Sequence, residues 1–246
     1  CRTVAHVIYF NYKFNVFITA NPYFYIIFAE ILTFIRFMAR QAALFDLDGV
    51  LVDSEGVYYE FWDNIDRMFP TGIPDFAASI KGSTLKKIMD YFPDPDVRSR
   101  ITTMLEEQER SMRYVLFDGV IPFLDELRSR HIPCAIVTSS NEDKMHKLFD
   151  QHPGFADYFK VVITDRQVTR SKPDPQGYLL AADRLACDPA DCYVFEDSFS
   201  GLEAARRSGA KVIALSTTNA ADTLVDKADK VISSFRQLSV DELLER

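Results

Sequence analysis

Six short apolar runs constrain what this chain can fold into. They are AALFD (42–46), CAIVT (134–138), VVIT (161–164), CYVFE (192–196), KVIAL (211–215) and KVI (230–232). Each is continuous rather than alternating, the pattern of strands buried on both faces. Segments of helical periodicity separate the last five, which implies right-handed crossovers and parallel neighbours. The expected fold is therefore α/β, with a Rossmann-like, mostly parallel sheet. A length of 246 residues and a hydrophobic content of 48% suffice for such a core.

One interval breaks the rhythm. About 85 residues without a convincing strand separate the first run from the second. They read as helices. Residues 54–68 carry Val57, Phe61, Ile65 and Met68 at helical spacing, with Ser54 placed to cap that helix. A second helix opens at Asp94 as cap and Pro95 as first helical residue, with a stripe of Val97, Ile101, Met104, Leu105 and Met112. The expected organisation is a core of residues 38–53 and 116–246 with a helical unit, residues 54–115, inserted after the first strand. A unit on two linkers can open and close over the strand tip.

Residues 1–37 do not share this composition. They hold 11 of the chain's 32 aromatic residues, with no Gly and no Asp. Phe, Tyr, Ile, Asn and Lys, residues with AT-rich codons, fill 21 of the 37 positions. The charge-free run from Phe14 to Ala29 is 16 residues, short for a membrane span. Translated upstream DNA, with Met38 as the natural start, fits best; a membrane anchor and a genuine hydrophobic arm are the alternatives. Without this segment 25 basic and 35 acidic residues remain, a net charge of −10, and no basic tract marks a nucleic-acid site. Cys134 and Cys192 lie inside apolar runs and no C-x-x-C pair occurs, as expected of reduced core cysteines in a cytoplasmic protein. The expected protein is a monomer with no membrane and no nucleic-acid partner.

Ligands of open parallel sheets bind beyond the carboxyl ends of the strands. There the first run presents Asp46, Asp48 and Gly49, and the second Thr138, Ser139, Ser140 and Asn141. The third is followed by Asp165 and SKPDP with Lys172, and the fourth ends in Glu196 and Asp197 before SFSG. Asp46 and Asp48, two apart, would share a face if the strand continued, and like charges there repel. A hard cation resolves the conflict. Asp46, Asp48 and Asp197 can share a Mg²⁺, and Lys172 adds a second positive charge. A carboxylate so placed can attack a phosphoryl group, with Lys172 and the ion spreading the developing charge. Thr138 and the amides after it, Ser139 first, can hold the remaining oxygens. The second aspartate can exchange protons with the leaving oxygen and with water.

DLDGVLVDSE, the strand-ending Thr138, SKPDP and EDSFSG resemble, in order, the four motifs of the haloacid dehalogenase superfamily, over residues 43 to about 216. The helical insert looks like the cap of the subgroup that includes beta-phosphoglucomutase and small sugar-phosphate phosphatases. The resemblance implies Asp46 as nucleophile and Asp48 as acid/base, the latter also giving its backbone carbonyl to the metal. It implies Asp197 as a metal ligand, Glu196 as a ligand directly or through water, and Thr138 and Lys172 on the phosphate. It also implies that the cap selects the substrate. The mutase has a histidine where this chain has Tyr58, and an arginine near the position of Leu85; Lys81 and Gly82 match many cap loops of the group. These departures favour water as acceptor. The expectation is a Mg²⁺-dependent phosphatase for a small phosphorylated metabolite, a sugar or polyol phosphate, with Tyr58 and Lys81 facing it. A mutase is the alternative, since Lys81, Lys86 or Lys87 can meet a second charge. A phosphorylated signalling module is shorter and carries its aspartate on a middle strand, and an inactive binding protein would be expected to have lost a motif residue.

Overall fold

The computed structural model describes residues 41–244. The readings of residues 1–37 lie outside the described residues. Six strands form one sheet: β1 (Ala42–Phe45), β2 (Cys134–Val137), β3 (Phe159–Ile163), β4 (Cys192–Glu196), β5 (Lys211–Leu215) and β6 (Lys230–Ile232). Their spatial order is β3-β2-β1-β4-β5-β6, and every pairing is parallel. The order reverses between β1 and β4, which opens a crevice beyond their carboxyl ends.

β1, β2 and β4 are buried along their whole length. β3 starts two residues before its apolar run because it is an edge strand, where Lys160 can stand in solvent. Helices α5 (Val120–Ser129), α6 (Glu142–Gln151) and α9 (Val240–Leu244) cover one face, and α7 (Gln176–Arg184) and α8 (Phe199–Ser208) the other. The first face is aromatic: Phe45 stacks on Phe195 at 4.6 Å between ring centroids, with Phe123 and Phe235 packed around them.

Between β1 and α5 lie the cap helices α1 (Glu55–Met68), α2 (Phe76–Ser79), α3 (Leu85–Met89) and α4 (Pro95–Ser111). They bury a core of their own built on Phe61, Trp62, Ile65, Phe76, Ile88 and Ile101. Asp94 caps α4 by accepting from the Asp96 N–H, and Pro95 is its first residue. Two expectations for α1 are corrected. Met68 is 49% exposed, and Trp62 rather than Met68 completes the buried stripe. Ser54 sits before α1 but caps nothing, because its hydroxyl donates to Asp48. Among the described residues no helix is long and apolar enough to cross a membrane.

Candidate active site

Asp46 follows directly on β1, whose last pairing holds its N–H on the Phe195 carbonyl at 3.0 Å. Its carboxylate is buried and contacts the ammonium of Lys172. Lys172 comes from the turn after β3, where the Lys172–Pro173 peptide is cis. Its Nζ also donates to Glu196 Oε1 at 2.6 Å and to the Val137 carbonyl at 3.3 Å. Burial pushes the Asp46 carboxyl up to about 8; Lys172 opposes this, while Glu196 and Asp48 add to it. Burial alone would lower the Lys172 ammonium, but Asp46 and Glu196 more than offset it and raise it.

Glu196, the last residue of β4, is fully buried and densely bonded. Oε1 also accepts from Tyr178 Oη at 2.6 Å, and Oε2 from the amides of Asp197 and Ser198 and the Ser198 hydroxyl at 3.1, 3.3 and 3.2 Å. Gly201, in the first turn of α8, lies directly against this carboxylate: a Cβ there would come within 1.9 Å of Oε1. The glycine therefore makes room for a carboxylate.

Asp46, Glu196 and Asp197 each offer an oxygen within 4.8 Å of the others, and all three are buried. An all-oxygen donor set of this charge fits a hard cation. The loops around it are braced. Asn219 Nδ2 donates to the Asp197 carbonyl at 2.8 Å and Thr217 Oγ1 to the Gly49 carbonyl at 2.5 Å. Gly49 has φ 78°, and a Cβ there would stand 2.1 Å from Asp197 Oδ2. The acidic motif ends in glycine because the backbone turns left-handed against a carboxylate.

The Asp48 side chain is bound on the other side of the crevice. Lys144, on α6 and 1% exposed, donates to its two oxygens at 2.5 and 2.6 Å, and Ser140 Oγ adds a bond at 3.0 Å beside that of Ser54. Burial opposes the charge on Asp48, and these donors outweigh it and hold the carboxyl below its usual range. Thr138 is buried at the tip of β2, its Oγ1 accepting from the Ser140 N–H at 3.0 Å. Together these groups and the cap enclose one cavity, lined by Asp46, Asp48, Thr138, Ser139, Tyr58 and Lys81 among others.

The cap reaches the core through backbone carbonyls. Ser139 Oγ donates to the Gly82 carbonyl at 2.8 Å and Ser200 Oγ to the Lys81 carbonyl at 2.7 Å. The Ser139 hydroxyl thus closes the cap onto the core. Tyr58 lays its ring on the Lys144 ammonium, 4.2 Å from the centroid, and donates its hydroxyl to Glu109 Oε1 at 2.9 Å.

The profile of the haloacid dehalogenase-like hydrolases matches residues 43–215. The chain belongs to this family. The validoxylamine A 7'-phosphate phosphatase of Streptomyces hygroscopicus subsp. limoneus is 30% identical over 80% of this chain and 95% of its own. Hexitol phosphatase A of Escherichia coli is 31% identical over 82% of this chain and 95% of its own. Among solved structures, CbbY of Rhodobacter sphaeroides bound to xylulose-(1,5)bisphosphate superposes with a TM-score of 0.69 at 22% identity, over 82% of this chain and 98% of that one. A beta-phosphoglucomutase of Clostridium difficile gives a TM-score of 0.68 at 20% identity, over 83% and 96%. The two structures share the fold, and the named relatives are phosphatases. This haloacid dehalogenase-like hydrolase is accordingly a phosphoric monoester hydrolase.

Two charged residues of this hydrolase's cavity escaped the motif reading. Lys144 falls on the buried stripe of α6 with Met145 and Leu148, and Glu109 on that of α4 after Ile101 and Leu105. A charge in register with an apolar stripe is the signal that could have found both.

Proposed function

We propose that this hydrolase is a Mg²⁺-dependent phosphatase for a small sugar or polyol phosphate, working through an aspartyl-phosphate on Asp46. The observation that supports it best is the ion pair of Lys172 with Asp46 within a buried three-carboxylate donor set at the tips of β1 and β4. Asp46 attacks the phosphorus as the ester P–O bond breaks, and the Asp48 carboxylate relays the acidic proton of the phosphomonoester monoanion to the leaving oxygen. Asp48 then takes a proton from water, whose oxygen displaces the Asp46 carboxylate and releases phosphate. Lys172, the Thr138 hydroxyl and the Ser139 amide hold the phosphoryl oxygens. A Mg²⁺ held by Asp46, Asp197 and the Asp48 carbonyl, with Glu196 directly or through water, would neutralise charge on those oxygens. Tyr58 and Lys81 face the organic part, and Leu85 lines the same cavity. An apolar residue in that lining favours water over a phosphorylated sugar as acceptor. The proposed protein acts as a cytoplasmic monomer.

The test is phosphate release by the full chain from a panel of sugar, polyol and nucleotide monophosphates, with Mg²⁺ and with chelator. Release that needs Mg²⁺ and vanishes in Asp46→Asn is the expected result. No release from any member would overturn the reading, and isomer interconversion primed with a bisphosphate would then be measured.

A further inference from the structure

Glu109 is a carboxylate in a position built for an apolar side chain. It is 6% exposed and follows Ile101 and Leu105 on the inner face of α4. It lines the cavity beside Trp62, Ile80, Leu85, Ile88 and Leu105, a cap wall with low polarity. Burying a carboxylate there is costly unless something compensates it. What contacts it is a hydroxyl, Tyr58 Oη at 2.9 Å. The ammonium on the far face of the Tyr58 ring, Lys144, is committed to both oxygens of Asp48 at 2.5 and 2.6 Å. Lys81, also in the lining, has its ammonium over the Tyr59 ring, 5.9 Å from the centroid. The Glu109 charge therefore acts on the cavity through a wall that damps it little.

Its place follows from the same contacts. Asp48 is the group that meets the leaving oxygen, Lys144 holds Asp48, the Tyr58 ring covers Lys144, and Glu109 takes the Tyr58 hydroxyl. Glu109 thus stands two side chains beyond the acid/base, with Lys144 and Tyr58 between, on the cap wall of the cavity.

We propose that Glu109 is a charge filter for the leaving group. It admits phosphomonoesters whose organic part is neutral and hydroxylated, and refuses those bearing a carboxylate or a second phosphate. A hydroxyl can donate to Glu109; an anion meets a like charge in a desolvated pocket. This rests on the phosphatase reading and narrows its substrate class.

The test uses a matched pair, a hexitol 6-phosphate and the 6-phosphoaldonate of the same carbon chain, which differ by one hydroxymethyl for one carboxylate. The full chain, Glu109→Gln and Tyr58→Phe are compared by kcat/KM and by calorimetric Kd for both ligands. Glutamine keeps the acceptor for Tyr58 and removes the charge. The wild-type chain should favour the hexitol phosphate by about tenfold or more, the scale of one unfavourable buried contact. Glu109→Gln should raise the aldonate-to-hexitol ratio by about tenfold, while Tyr58→Phe, which keeps the charge, should leave it low. A merely structural role would weaken both ligands alike and leave the ratio unmoved. An unmoved ratio with continued turnover overturns the filter and spares the phosphatase reading. Absence of turnover from both and from the rest of the panel overturns the phosphatase reading, and the ratio of Kd values still decides the filter.

Discussion

Replacing Lys144 by Met should cost this hydrolase much of its stability, in a pH-dependent way. The lysine is 1% exposed and its ammonium meets both Asp48 oxygens at 2.5 and 2.6 Å. Methionine fills much the same volume, so the perturbation is the loss of a charge rather than a cavity. Removing one member of a buried ion pair costs about 3–5 kcal/mol, because the other charge is left behind. Asp48 retains the hydroxyls of Ser54 and Ser140 and its side chain is 17% exposed, which places the expected loss near the lower end, about 3 kcal/mol. For a domain of this size that is a fall in Tm of about 6–12 °C. In the wild-type protein the Asp48 carboxyl lies below 3.8, so the pair's contribution is present above that pH and is lost as pH falls beneath it. In the variant burial acts on Asp48 without the cation, and its carboxyl moves up instead. The folded variant then holds a proton that the unfolded chain has released, and its deficit grows as pH rises. Denaturant unfolding at pH 5 and pH 8 reads both effects. A deficit below about 1 kcal/mol, or one equal at the two pH values, would refute the reasoning.

Two further outcomes follow from the acidic cluster. Burial pushes Asp46 up to about 8 against an ordinary 3.8, so the folded chain keeps a proton that the unfolded chain loses, and metal-free stability should fall as pH rises between these values. A cation must displace that proton, so Mg²⁺ affinity should rise about tenfold per pH unit up to pH about 8 and then level off; calorimetric titration at pH 6, 7 and 9 checks this, and a flat profile contradicts it. Gly201→Ala would drive a methyl to within 1.9–2.1 Å of the Glu196 carboxylate. Overpacking of this kind costs about 1–3 kcal/mol, and a displaced Glu196 releases Lys172, so Tm and phosphate release should fall together; an unchanged Tm would show that α8 can shift without cost.

The parts of this protein legible in the sequence are those whose cause is local. Strands β4, β5 and β6 coincide with their apolar runs, because parallel strands are marked by composition alone. Asp94 and Pro95 start α4 because capping needs only the next few residues. The cap's insertion after β1 follows from the missing strand signal over that interval. β3 was legible only in part, since an edge position let Lys160 into the strand.

What the tertiary structure decided is which partner each polar group finds. Ser54 looks like a helix cap, yet its hydroxyl goes to Asp48, because the turn after β1 brings that carboxylate closer than the first amides of α1. Glu196 reads as one acid among several, but Lys172, Tyr178 and the start of α8 converge on it. Lys144 and Glu109 stand in register with the apolar stripes of their helices, which marks them as buried but does not say what they meet. They become part of the cavity only because α6 packs beside β1 and α4 returns over Tyr58, across separations of 96 and 51 residues. Burial and hydrogen bonds to distant groups set the charge state of such residues, and neither is encoded in the residues that flank them.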